Sequence, residues 1–243
     1  MALRKIFYFF FSTLICKVSF FSYFCKKNKR KIKKMMRFVA LFRFIALLLT
    51  SSVVFLSCDM EERYKSILPA DIKLEPGDVV FRLGTSLESG AVVVADRNGN
   101  YSHCGIVVDS CGQTRVVHAV PDEPDFDGDV DRVKMDRPEM FFRRDRASAG
   151  AVCRANDADA ATVAAGAAKS VFFRHTLFDQ DYDDTDTTEM YCSELINFSY
   201  GKAGLDLAGP ERHSYSLIFS SFTNCIMPSQ IYHSPHLRLI TQF

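Results

Sequence analysis

The chain has 243 residues, enough for one sizeable domain or two small ones, and a leader-like N-terminal stretch leaves room for one. Its formal net charge of +1 hides an asymmetry: residues 1–57 carry 12 of the 30 Lys+Arg and none of the 29 Asp+Glu, so the remainder holds 18 basic against 29 acidic residues, a balance of −11. Phosphate binding needs a concentrated basic patch, and this acidic remainder has none, which excludes nucleic acid as its expected partner.

The leader reads as two signals. Lys5 to Cys25 is nearly all Phe, Ile, Leu, Tyr and Ser around Lys17, and a basic run from Lys26 to Lys34 follows, the pattern of a marginal membrane span with a positive flank. From Met35 a second and better-formed signal begins: Arg37 and Arg43 as basic region, Phe44 to Leu56 as apolar region, then Ser57-Cys58. Residues 1–34 are therefore expected to be an upstream extension or an extra hydrophobic segment, with translation starting at Met35 or Met36. Residues 35–57 form a signal peptide, 58–73 a tether, and 74–243 the folded domain. An uncleaved transmembrane anchor is the competing reading of the leader, and both readings place the domain outside the cytoplasm.

Within the domain, Leu74 to Leu83 reads as a turn feeding a strand, and Ser86 to Ala95 as a short helix. His103 to Asp109 and Arg115 to Val120 are apolar runs of strand length about a Ser110-Cys111-Gly112-Gln113 turn, an antiparallel hairpin. Pro121 to Asp131 is an acidic loop, Ala149 to Arg154 a strand, and Asp157 to Phe172 an Ala-rich helix capped by Asp157. After a polar loop from Gln180 to Thr188, Thr187 or Thr188 is expected to cap a helix from about Met190 to Lys202. The fold class is α+β with a mostly antiparallel sheet packed on helices.

Five cysteines remain beyond Cys16, Cys25 and Cys58: Cys104, Cys111, Cys153, Cys192 and Cys225. An odd number argues against a complete disulfide framework, and with no C-x-x-C pair a structural zinc site is not expected. Cys192 opens the helical pattern of Leu195, Ile196 and Phe198, where the dipole and unpaired N–H groups favour a thiolate and could cradle an oxyanion. His103 begins one strand of the hairpin and His118 lies on the other, so His118 is placed to orient the His103 ring. Cys104 should point away from His103 by strand alternation. His175, His213, His233 and His236 sit in polar or Pro-flanked surroundings, as surface residues do. Two other chemistries fit some of these residues: calcium at Asp125 to Asp131 or Asp181 to Asp186, which lack the glycine and final Glu of an EF-hand, and a transition metal at His103, His118 and Cys192.

The motifs Gly77-Asp78-Val79-Val80-Phe81-Arg82, Tyr101-Ser102-His103-Cys104-Gly105-Ile106-Val107, Val117-His118-Ala119-Val120-Pro121, Phe178-Asp179 and Tyr191-Cys192-Ser193-Glu194-Leu195-Ile196 occur in this order. Together they resemble the YiiX/YebB-like cysteine hydrolases, a circularly permuted branch of the NlpC-type, papain-like superfamily related to the lecithin retinol acyltransferase-like proteins. The resemblance implies a permuted papain-like fold with Cys192 as nucleophile, His103 as base and His118 as orienting residue, attack on an amide, ester or thioester, and no cofactor. Many relatives carry a carboxylate at the third position, and His118 cannot stabilise an imidazolium by charge as a carboxylate does. Phe55-Leu56-Ser57-Cys58 resembles a bacterial lipobox, which implies that Cys58 is a lipidated first residue and that the membrane is a partner. The expected function is an exported, membrane-anchored amidase or peptidase acting on cell-wall peptide or another envelope amide. The alternatives are a lipid-directed acyl hydrolase or acyltransferase, and a non-catalytic envelope-binding module. Mass spectrometry of the mature protein is expected to find a lipidated N-terminus at Cys58; recovery of a peptide from residues 1–25 would contradict the assignment of the leader.

Overall fold

The computed structural model describes residues 35–38, 40–43, 64–97, 99–216 and 221–243. The chain divides into two units, Met1–Met60 and Glu61–Phe243. In the first, residues 35–38 and 40–43 are helical; the Lys5 to Cys25 segment, most of the signal region and Cys58 lie outside the described residues. Among the described residues no helix is long and apolar enough to cross a membrane.

The second unit is α+β. In chain order it contains β1 (Val79–Leu83), α1 (Leu87–Ala95), β2 (His103–Ser110), β3 (Gln113–Val120), β4 (Arg132–Asp136), α2 (Pro138–Phe141), β5 (Ala149–Ala155), α3 (Ala158–Phe173), β6 (Leu177–Phe178), β7 (Glu189–Met190), α4 (Cys192–Gly201), β8 (His213–Ser216), β9 (Ser221–Cys225), α5 (Pro228–Tyr232) and β10 (Leu237–Gln242). Eight strands form one sheet in the order β10-β5-β1-β2-β3-β4-β6-β7, and β8 pairs with β9 separately. Every pair in the large sheet is antiparallel except β6 with β7.

The β2–β3 hairpin turns through Cys111 at φ 56 and Gly112 at φ 76. Two successive left-handed residues match the twist of the flanking strands, which closes the hairpin tightly and fixes its register. Ile106 pairs with Val117, so His118 stands opposite Gly105 and diagonal to His103. One face of the sheet, with Ile106, Val117, Ala119 and Val133, packs on α3 and α4 in the main core. The other, with Val80, Val107, Val116 and Val152, packs on Phe141 and Phe142.

Helix α3 is capped by the Asp157 carboxylate, which accepts from the N–H groups of Asp159 and Ala160. It buries Ala160, Ala161, Ala164, Ala165, Ala168 and Val171 at helical spacing. Small side chains bring its backbone close to the sheet, and Gly77, at φ 91, completes the fit: a Cβ there would stand 2.5 Å from the Ala161 Cβ. Helix α4 buries Leu195, Ile196 and Tyr200 completely, and the Tyr200 hydroxyl donates to the Gly77 carbonyl. Each large buried side chain contributes roughly 1.5–3 kcal/mol, so three of them hold the N-terminus of α4 firmly against β2.

Several expectations need correction. Helix α4 is capped by Tyr191, not Thr187 or Thr188, because Glu189–Met190 pairs with β6 as β7 and keeps the chain extended until Tyr191. Strands β4, β6, β7, β8, β9 and β10 and helices α2 and α5 are not among the elements expected from the sequence.

Gly105 leaves no room for a side chain, since a Cβ would lie 2.6 Å from Val116 Cγ1 and 3.2 Å from both His118 Cβ and Phe141 Cε2. Gly105→Ala is expected to lower the unfolding free energy by about 1–3 kcal/mol in urea titration; an unchanged midpoint would contradict this packing.

Candidate functional site

Cys192 is the first residue of α4, and its N–H and those of Ser193 and Glu194 precede the first possible intrahelical acceptor. The Leu195 N–H is the first to find one, at the Tyr191 carbonyl, 3.0 Å away. The entry of the helix is held from both sides. Glu194 Oε2 accepts from the Tyr191 N–H at 3.2 Å, and the Tyr191 hydroxyl accepts from the Ile226 N–H at 2.8 Å. Burial, reinforced by the negative charges of Asp179, Asp184 and Asp186, pushes the Glu194 carboxyl up to about 9. It is therefore neutral at physiological pH, so no carboxylate in the first turn cancels the positive end of the helix dipole beside Cys192.

The Cys192 thiol is held well below the ordinary cysteine range by hydrogen bonding from Cys104 and by the His103 imidazole, against the opposing effect of burial. Cys104 does point away from His103, into the core face against α4, but that puts it beside the nucleophile candidate. Its thiol donates to Ser193 Oγ at 3.9 Å, and Cys192 Sγ lies 3.7 Å from the same oxygen. Burial, with the neighbouring Cys192, pushes Cys104 well up, so of the two sulfurs Cys192 is the one that ionises.

His103 and His118 are both buried, and His103 Nε2 lies 2.9 Å from His118 Nδ1. The His103 ring stacks on Phe141 at 5.6 Å between centroids, and His118 meets the same ring edge-on at 5.1 Å. Arg82, opposite His103 in the β1–β2 register, lies over the Phe141 ring as well. On its far side His118 Nε2 is 3.3 Å from Asp136 Oδ2 on β4. Asp136 in turn lies 3.4 Å from Arg146, which pairs with Glu123, the partner of Arg82. Sequence reasoning missed Asp136, whose only signal was the alternation of Val133 and Met135 that betrays β4.

A cleft of about 420 Å³ is lined by Ser102 and His103 together with Tyr191, Cys192 and Ser193. Its lining also includes the apolar Val92, Phe178, Tyr182, Ile226 and Met227 and the charged Arg82, Glu123 and Arg146. Of the remaining histidines, His175 and His233 are exposed and His236 is half-buried. The acidic loop is occupied internally: Asp125 and Asp129 pair with Arg132, and Lys134 also reaches Asp125. In the second acidic segment Asp179 accepts from the N–H groups of Asp181 and Asp183, and Asp184 pairs with Arg212.

No family model matches the chain, and no curated protein does. Among solved structures the resemblance is to an α+β fold of the YiiX type, in agreement with the motifs. The crystal structure of the metalloprotein yiiX from Escherichia coli O157:H7 superposes with a TM-score of 0.55 at 18% identity, covering 71% of this chain and 99% of that one.

Burial pushes the fully enclosed His118 down from 6.5 to about 4, against the raising influence of Asp136. The unfolded chain takes up a proton on this ring near 6.5 and the fold only near 4. His118 therefore adds no pH-dependent loss above about 6.5, and costs stability progressively as the pH falls between the two values. Urea unfolding from about pH 7 to about pH 4 is expected to cost the wild type roughly 3 kcal/mol more than His118→Gln; parallel slopes would contradict a neutral, enclosed His118.

Proposed function

We propose that the chain is a cysteine hydrolase of the permuted papain-like kind, with Cys192 as nucleophile, His103 as general base and His118 as the residue that orients it. The observation that carries this reading is the meeting, at one cleft, of a cysteine at a helix N-terminus with an imidazole held at 2.9 Å by a second imidazole. In chain order the histidine strand precedes the cysteine helix, as a permuted papain-like arrangement requires.

His103 takes the Cys192 proton, and the thiolate attacks the carbonyl carbon of a bound amide. A C–S bond forms, and the negative charge moves to the carbonyl oxygen, within reach of the N–H groups that open α4. Collapse of this intermediate breaks the C–N bond as the imidazolium protonates the departing amine. Water then gives a proton to His103 and attacks the thioester, which releases the acid and restores the thiol.

The substrate is a cell-wall peptide or another envelope amide, and the domain is exported and tethered through a lipidated Cys58. A lipid acyl group is the second candidate, favoured by the apolar lining residues Val92, Phe178, Tyr182, Ile226 and Met227. The solved neighbour is described as a metalloprotein. The residues here do not fit a metal: among the described residues no three His, Cys, Asp or Glu side chains converge on a common point, and the facing nitrogens of His103 and His118 are turned on each other.

The purified full-length chain, incubated in parallel with peptidoglycan fragments and with phospholipid vesicles, is expected to release new amino termini from the former. Cys192→Ser and His103→Ala should each reduce turnover at least about a hundredfold. Release of fatty acid alone would move the substrate to lipid, and no Cys192-dependent product from either would contradict the hydrolase reading.

A further inference from the structure

The proposed third residue, His118, carries no charge of its own to offer His103, yet it is not the end of the chain of contacts. Its Nδ1 faces His103 Nε2 at 2.9 Å, and its Nε2 faces Asp136 Oδ2 at 3.3 Å. We infer that Asp136 is a positioning residue which, acting through His118, fixes the proton arrangement of the base and supplies the negative charge that His118 lacks. The inference rests on the cysteine-hydrolase reading only for its catalytic consequence.

Burial opposes ionisation of Asp136, but the hydrogen bond to His118 and the charges of Lys134 and Arg146 outweigh it and hold the carboxyl below its usual range. An ionised carboxylate can only accept, so the His118 proton sits on Nε2. Nδ1 of His118 is then a bare acceptor, and the proton between the two rings belongs to His103 Nε2. That leaves His103 Nδ1 with its lone pair for the Cys192 proton, the tautomer a general base needs. With the opposite arrangement, Nδ1–H on His118, two N–H groups would oppose each other or His103 would turn its proton toward the sulfur.

When Cys192 gives up its proton, the positive charge appears on His103, one neutral ring away from Asp136. Of the other charged groups around His118, Glu123 also places a negative charge near both rings, but it hydrogen-bonds to neither and is paired with Arg82 and Arg146. Arg82 on β1 is a cation that disfavours a second positive charge nearby, and it is paired with Glu123. Lys134 stands opposite His118 in the β3–β4 register and reaches toward Asp125 and the Glu123 carbonyl. Arg146 bridges Glu123 and Asp136. Asp136 is the only carboxylate hydrogen-bonded to either imidazole among the described residues.

The test uses the full-length chain, its Asp136→Asn variant, which keeps the shape and removes the charge, and its Asp136→Glu variant, which keeps the charge. Nitrogen-15 NMR of labelled histidine is expected to find His118 protonated on Nε2 and bare on Nδ1 in the wild type; the reverse tautomer overturns the inference. Iodoacetamide alkylation of Cys192 against pH is expected to shift upward by about one pH unit in Asp136→Asn, with about tenfold slower modification near neutrality. Asp136→Glu should recover most of that rate. An unshifted profile in an Asp136→Asn variant that melts like the wild type overturns the inference. Should Asp136→Asn fail to fold, the wild-type tautomer and the Asp136→Glu profile decide alone. A wild-type Cys192 that alkylates no faster than a free thiol sinks the hydrolase reading instead, while the tautomer measurement still judges the positioning claim.

Discussion

His118 is enclosed completely, with one ring nitrogen against another imidazole and the other against a carboxylate. A polar ring with no exposure costs free energy unless both nitrogens are satisfied, so its two neighbours are a condition of the fold and not an addition to it. The surrounding features serve that condition. Gly105 leaves the gap beside His118 Cβ, Phe141 presses on both rings, and β4 lies next to β3 in the register that delivers Asp136. The hydrogen bond from His118, helped by Lys134 and Arg146, keeps Asp136 ionised, and Glu123 balances Arg82 and Arg146. The network is therefore a buried polar layer in which each member is explained by the one before it.

On the other side of the sheet the requirement is a sulfur that ionises easily. Helix α4 supplies its positive end, and the fold removes the negative charge that would cancel it by keeping Glu194 neutral. Cys104, next in sequence to His103 but facing the opposite way, donates toward the same spot through Ser193. The strand start at His103 is thus where the two faces of the sheet meet. His103 belongs to one face and Cys104, beside Cys192, to the other, and a single residue step separates them.

Much of this is legible in the sequence. The Cys111-Gly112 turn allowed a tight hairpin, which fixed His103 and His118 as neighbours. The apolar spacing of Leu195 and Ile196 put Cys192 at a helix start. Asp136 was not legible, because strand β4 alternates Val133 and Met135 with Arg132, Lys134 and Asp136, and such charged positions ordinarily face water. Here Lys134 and Asp136 face a buried polar layer, which periodicity alone does not distinguish from solvent. The helix cap was misplaced for a related reason: Thr187 and Thr188 have the right chemistry, but pairing of Glu189 and Met190 with β6 overrode it. Strand β10 escaped because it lies at the edge of the sheet with mixed exposure, so its pattern is weak.

The proposed chemistry depends on the arrangement around Cys192 making it an anion near neutrality. Ultraviolet absorbance of the full-length protein, compared with Cys192→Ala across a pH titration, measures that directly. One thiolate is expected below the ordinary cysteine range in the wild type and absent in the variant, with ionisation moving upward in His103→Ala. A Cys192 signal that appears only above about pH 8, unchanged by loss of His103, would contradict the central claim.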